Sequence, residues 1–209
     1  MRRPMAGGSP FEIRPYRASD LDAIYRVCLL TGASGQDASE LYKDHKLVGH
    51  MFAGGYGVLR PESALVVEDA EGVGGYIIGA PDTPAFEAEL ERAWWPALRA
   101  QYANPEGRYR DLTPDQRLMR GFHHPQLTPP TITDPYPAHL HIDLLPRFQG
   151  RGLGKTLIDQ WLALMRGVGA KGVHLGVGGA NTRAVRFYRA YGFDELDVGL
   201  GALVFAKAL

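Results

Sequence analysis

Apolar positions along this chain fall into short runs whose period separates strand from helix. Phe11 to Tyr16 reads as a first strand, stopped near Pro15. Ala18-Ser19-Asp20 reads as a helix start, with Leu21, Ile24, Val27 and Cys28 recurring behind it at helical spacing. Thr31 to Asp37 is glycine-rich and polar and predicts a loop, and Ala38 to His45 predicts a second short helix. Ala64 to Glu68 and Val73 to Gly79 are β-rich runs around the turn Asp69-Ala70-Glu71-Gly72, a hairpin signal. Phe86, Leu90, Trp94 and Leu98 lie four apart within Pro84 to Tyr102, so this stretch predicts a helix that Pro96 kinks or splits. Asn104 to Pro137 is rich in Pro, His and Arg. Apart from a short helix near Pro114 to Arg120 it predicts a long loop, and such loops in compact domains are usually functional or mobile.

Ala138 to Leu145 predicts a strand, Gly150 to Gly154 a glycine loop, Lys155 to Val168 a helix, Val173 to Val177 a strand, Asn181 to Tyr191 a helix and Gly199 to Ala206 a last strand. This order implies an α/β fold, a mixed sheet with helices on its faces. There is no internal repeat and no linker. A length of 209 residues suits one domain running from residue 11 to 209, with 82–137 as an inserted helical and loop segment. Met1 to Pro10 contains Arg2 and Arg3 but no apolar run, so it predicts a disordered tail and not a secretory signal.

Composition narrows the partners. Lys+Arg and Asp+Glu balance at 23 each, so there is no strongly basic field for a nucleic-acid backbone. No apolar stretch approaches the roughly 20 residues of a membrane helix. Cys28 is the single cysteine; it excludes an intramolecular disulfide and offers no metal-ligand spacing. These features predict a cytoplasmic protein with neither nucleic acid nor membrane as partner.

The informative segment is His139 to Lys155, where a strand runs into Gln149-Gly150-Arg151-Gly152-Leu153-Gly154 and then a helix. The first turn of a helix has free N–H groups and partial positive charge, and glycines let a backbone approach a diphosphate closely. The alternating glycines and the cations Arg151 and Lys155 exceed what a ligand-free turn requires. Gly150 to Thr156 nearly spells a P-loop, but Gln149 stands where that motif needs glycine, and Val173 to Val177 does not end in a Mg²⁺-binding aspartate. The dinucleotide fingerprint fails as well, because Lys155 takes the place of its third glycine.

The spacing Gln149, Gly152, Gly154 resembles the pyrophosphate loop of the GNAT acyltransferases, Q-x-x-G-x-G. Asn181 to Phe193 resembles that family's C-terminal helix, N-x-x-A-x-x-F-Y-x-x-x-G-F, at the family's separation from the loop. The resemblance implies a GNAT fold, with a mostly antiparallel sheet of about six to seven strands flanked by helices on both faces. It implies acetyl-CoA as cosubstrate and no metal. It further implies pantetheine along Ile142, Asp143 and Leu144, the diphosphate on Gln149, Gly150, Arg151, Gly152, Leu153, Gly154 and Lys155, and Asn181 near the pantetheine. Ile13-Arg-Pro-Tyr, Gln36 to Leu41, Leu47-Val-Gly, Val67 to Tyr76 and Trp95 to Arg99 resemble the acetyltransferase-like C-terminal domain of animal O-GlcNAcases and its stand-alone bacterial relatives. Nothing resembles the glycosidase domain.

The implied activity is transfer of acetyl from acetyl-CoA to an amine, on a small molecule or a protein. The alternative is a non-catalytic acetyl-CoA sensor on the same fold; a homodimer is a further expectation. Transfer needs an acid for the leaving thiolate and a base for the amine. Tyr188 matches the family's acid, against the plainer reading of a packed core tyrosine. For the base, Val173 to Gly178 offers only His174, whereas period 2 puts His139, His141 and Asp143 on one face of the cofactor strand. Asp143 is the candidate base, against a buried aspartate paired with Arg or His. The same three side chains spell a poor metal site, because ligands on one flat strand rarely close a coordination sphere. Asp37 and Glu40 either select a cationic acceptor or belong to a solvated helix face. Trp94 and Trp95 read as core, Gly54-Gly55-Tyr56-Gly57 as a flexible turn, and His123 and His124 as lid or exposed loop residues.

Overall fold

The computed structural model describes residues 10–199 and 202–209. The expected tail, Met1 to Pro10, lies outside the described residues except for Pro10. The strands are β1 (Glu12–Pro15), β2 (Leu65–Asp69), β3 (Gly72–Ala80), β4 (Ala138–Leu144), β5 (Gly172–Val177), β6 (Asp194–Leu196) and β7 (Leu203–Ala208). They form one seven-stranded sheet in the order β1-β2-β3-β4-β5-β7-β6. Every pairing is antiparallel except β4 with β5. The β2–β3 hairpin turns at Asp69 to Gly72 as its sequence predicts, with a register shift at Val67/Glu68.

The helices are α1 (Leu21–Thr31), α2 (Leu47–Phe52), α3 (Gly54–Leu59), α4 (Thr83–Ala93), α5 (Trp95–Gln101), α6 (Pro114–His123), α7 (Pro130–Thr133), α8 (Leu153–Gly167) and α9 (Thr182–Tyr191). The pleat assigns them to faces. Ile78 pairs with His141 and Tyr76 with Asp143, so these side chains share one face. That face lies under α1 and α3: the Tyr56 hydroxyl is 2.7 Å from His139 Nε2. Gly79 pairs with Leu140 on the other face, where a β-carbon on Gly79 would meet the Trp161 indole of α8 at 2.5 Å. Ile24, Val66, Ile77, Ile78, Trp161 and Phe205 are fully buried between these layers. Each such side chain contributes about 1.5–3 kcal/mol of hydrophobic stabilisation. Arg14 ties β1 to the start of α1 and to β2, bonding Asp20 at 2.7 Å and Glu68 at 2.6 Å.

The insert is more helical than its composition indicates. It splits at Trp94 into α4 and α5, with Pro96 in the first turn of α5 where its missing N–H costs nothing. Trp95, Leu98, Tyr102 and Phe122 form a second small core against Leu47 of α2. The helix expected at Ala38 to His45 is absent; that stretch is turns, and the helix begins at Leu47. Carboxylates capture the backbone there: Asp37 takes the N–H of Ser39, and Asp115 takes those of Lys43 and Asp44. Those N–H groups cannot then close helical bonds. Gly54 to Gly57, expected as a turn, opens α3. A β-carbon on Gly54 would lie 2.2 Å from the Tyr25 hydroxyl, so the small residue serves close helix packing. The last strand begins at Leu203, and the short polar strand β6 gave no apolar signal.

Candidate functional site

The site begins where β4 and β5 separate. Each would pair along its whole length in a regular parallel sheet, yet they pair only at Ala138 with Val173 and His139 with His174. Beyond this point a cavity of about 390 Å³ opens between β4 and α9. Ile142, Asp143 and Leu144 form one wall, and Asn181, Ala184, Phe187 and Tyr188 the other. Its lining is mainly apolar.

One end is the glycine loop. Pro146 to Phe148 makes a 3-10 turn anchored by the fully buried Phe148. Gly150 and Gly152 then take the left-handed conformation, with φ 69° and 78°. Gly152 is the N-cap of α8 and supplies no side-chain cap. The N–H groups of the first turn are therefore left without intrahelical acceptors and carry the positive end of the helix dipole. Gln149 braces the loop: its amide donates to Leu144 O at 2.6 Å and its oxygen accepts from Arg183. Gly150, Gly152, Leu153, Gly154 and Lys155 all line the cavity. Arg151 does not. Its guanidinium lies over the Phe11 ring and donates to Arg147 O at 3.0 Å. Lys155 is paired with Asp159 at 2.7 Å on the exposed side.

The floor holds the candidate acid and base. Asp143 accepts from the Tyr76 hydroxyl at 2.5 Å. Burial raises its carboxyl above the ordinary range, opposed by the hydrogen bonds of Tyr76 and Thr31. Tyr188 projects from α9 and packs edge-on to Phe193, with its ring at 6% exposure. Burial, then the charge of Asp143, raises its hydroxyl well above the ordinary tyrosine value, so it stays protonated at neutral pH. Among the described residues nothing hydrogen-bonds that hydroxyl. Asn181 caps α9, accepting from Ala184 N at 3.2 Å. Its amide lies 3.1 Å from where a β-carbon on Gly35 would sit, so the loop after α1 reaches across to the N-terminus of α9.

Other candidates lie elsewhere. His174 is buried and bonds Tyr136 O at 2.7 Å, away from the cavity. His139 and His141 bond Tyr56, whereas Asp143 bonds Tyr76, so the three do not converge on one point. Among the described residues no group of His, Cys, Asp and Glu is arranged to hold a metal ion. Asp37 and Glu40 are exposed outside the lining. His123 and His124 are held within the insert by Tyr102 O and Asn104. Trp95 is core. Sequence reasoning missed Thr31, Gly35, Phe148, Arg183, Ala184 and Phe187 as lining residues. Ala184 and Phe187 stand inside the matched α9 pattern, and their three- and six-residue spacing from Asn181 is the signal that places them on its face.

The family model for the Acetyltransferase (GNAT) family matches residues 120–193, which contain β4, the loop, α8, β5 and α9. Protein O-GlcNAcase of Rattus norvegicus is 24% identical over 196 residues, covering 89% of this chain and 20% of that protein. The chain thus spans about a fifth of the length of that curated relative. The crystal structure of SsHAT superposes with a TM-score of 0.88 at 35% identity, over 96% of this chain and 98% of that one. The PaiA N-acetyltransferase of Thermoplasma acidophilum, solved in complex with coenzyme A, shares the fold, with a TM-score of 0.53 at 16% identity over 95% and 99% of the two chains. With the parted strands, the uncapped glycine loop and these matches together, the chain belongs to the GNAT family of acetyltransferases.

Proposed function

We propose that this protein is an N-acetyltransferase that moves acetyl from acetyl-CoA to a primary amine on a small molecule or protein. The parting of β4 from β5 carries the reading, because it creates an apolar slot with unpaired strand backbone on one wall and free N–H groups at one end. That donor set fits an elongated ligand with an apolar middle and an anionic diphosphate. Ile142, Asp143 and Leu144 would hold pantetheine, Gln149 to Gly154 with Lys155 the diphosphate, and Asn181 the pantetheine amide. When bound, the cofactor supplies an activated acetyl thioester. The CoA complex of the PaiA protein is of the same fold and supports this placement.

Asp143 and Tyr188 divide the proton chemistry. A carboxylate raised by burial is a stronger base than a solvated one, and Asp143 takes the amine proton. Tyr188 keeps its proton until the thiolate leaves, and then gives it up. The test is thiol release from acetyl-CoA across lysine peptides, spermidine and glucosamine. Wild type releases thiol with at least one of them. Tyr188→Phe and Asp143→Asn lower kcat by roughly 10²–10⁴-fold while the acetyl-CoA affinity is retained. Silence of wild type across the panel, with acetyl-CoA bound, overturns the enzymatic reading in favour of a sensor.

A further inference from the structure

The row of side chains above Asp143 has a polarity that one carbonyl dictates. Thr83 Oγ1 donates its only proton to Pro137 O at 2.6 Å. The contact between Thr83 Oγ1 and His139 Nδ1, at 2.8 Å, must then have His139 as donor. His139 is held neutral by burial and by its neighbours His141 and His174, so its Nε2 is a bare acceptor. Tyr56 therefore donates to His139 Nε2 at 2.7 Å. With that proton committed, the Tyr56 oxygen accepts from His141 Nε2–H at 3.1 Å. His141 is also neutral, lowered to about 4 by burial and then by His174, so its Nδ1 carries a lone pair and no proton. Among the described residues no donor meets Nδ1. It is not a sealed buried atom either, the sole such unpartnered atom among the described residues being His50 Nε2. His141 is half-buried beside Phe52, which is 41% exposed.

We propose that His141 is a substrate-binding residue whose Nδ1 lone pair accepts a hydrogen bond from the amine N–H of the acetyl acceptor, with Thr83, His139 and Tyr56 as positioning residues that fix its tautomer. This deepens the N-acetyltransferase reading and rests on it. Two acceptors, His141 Nδ1 and the Asp143 carboxylate, then stand two residues apart on one face of β4, on the side of α1 and α3. An N–H donor with a positive charge is the ligand that pair recognises. The chain also cannot carry a proton inward. Each bond runs toward Pro137 O, which already accepts from Thr83 N and Oγ1 and holds no exchangeable proton. His141 accordingly orients the acceptor nitrogen, and the proton departs through Asp143.

The ¹⁵N shifts of the His141 ring in the free protein read the tautomer without reference to activity. The Nε2–H form is expected in wild type. In Thr83→Val the carbonyl no longer sets the direction, and the His141 signals move toward the Nδ1–H form or a mixture. An Nδ1–H His141 in wild type overturns the polarity. The acceptor contact is tested with His141→Asn, whose side-chain oxygen replaces Nδ1, and His141→Gln, which keeps the Tyr56 contact but offers nothing at Nδ1. Using the best amine of the panel above, His141→Gln raises its KM about tenfold or more with the KM of acetyl-CoA unchanged, and His141→Asn stays within a few-fold of wild type. The reverse order, with Asn impaired and Gln normal, assigns His141 a packing role and overturns the proposal. Failure to bind acetyl-CoA at all refutes the function proposed above and removes the acceptor role with it, while the tautomer result stands separately.

Discussion

Two aspartates on the α1 side of the sheet respond to pH with opposite sign. Asp20 is held below the ordinary carboxylate range, first by its bonds from Arg14 and against the cost of burial. Its stabilisation is present above the unfolded value and is lost as pH falls through the depressed folded value. Asp143 is raised by burial, so the folded state holds more protons than the unfolded one, and its contribution falls as pH rises from the ordinary carboxylate range through the raised value. Thermal melts across acidic pH therefore show Asp143→Asn losing that downward slope and melting no lower than wild type at pH 7. A marked loss of stability in Asp143→Asn would place the carboxylate in the scaffold and not in the chemistry. Arg14→Ala leaves Asp20 and Glu68 facing each other without their cation, an effect of about 3–5 kcal/mol, read as a lower denaturant midpoint with unchanged acetyl-CoA affinity.

The glycine loop takes its shape from what lies under it. Phe148 is fully buried, and a β-carbon on Gly74 of β3 would sit 1.9 Å from its ring. Gly74→Ala must displace Phe148 and with it the Pro146–Phe148 turn, at about 1–3 kcal/mol. Acetyl-CoA affinity falls together with stability in that variant, as titration calorimetry and melting would show. Gly72→Ala, whose β-carbon would meet nothing, carries only backbone strain and lowers stability without the loss of affinity. Elements with strong local chemistry were legible in the sequence: the hairpin at Asp69 to Gly72, the split that Pro96 signals, the loop at Gln149 to Gly154 and the helix that follows Asn181. The illegible ones depend on distant partners. Asp115 unmakes a helix at Lys43 and Asp44 from 71 and more residues away. The glycines of α3 look like a turn until Tyr25 and Trp94 are packed against them. Arg151 followed the loop's sequence pattern, yet its side chain turns to Phe11, a contact that no local spacing signals.

Across the chain, the sheet's one parallel pairing is also its shortest, and the cavity opens where that pairing ends. Antiparallel ladders flank the two strands, β3 with β4 and β5 with β7, so their divergence and the cavity between them are built into the fold. Such a site binds with little ordering cost. The α9 wall carries Asn181 and Tyr188, and the β4 wall carries Asp143, so a ligand that fills the cavity touches both walls at once. Thermal melting with added ligand tests this arrangement. A ligand at 100 times its Kd stabilises the folded protein by about 2.7 kcal/mol, a rise on the order of 5–10 °C for a chain of this size. Acetyl-CoA and CoA should each raise the midpoint, and ATP with Mg²⁺ should leave it unchanged. Stabilisation by ATP with Mg²⁺ and none by CoA would contradict the account.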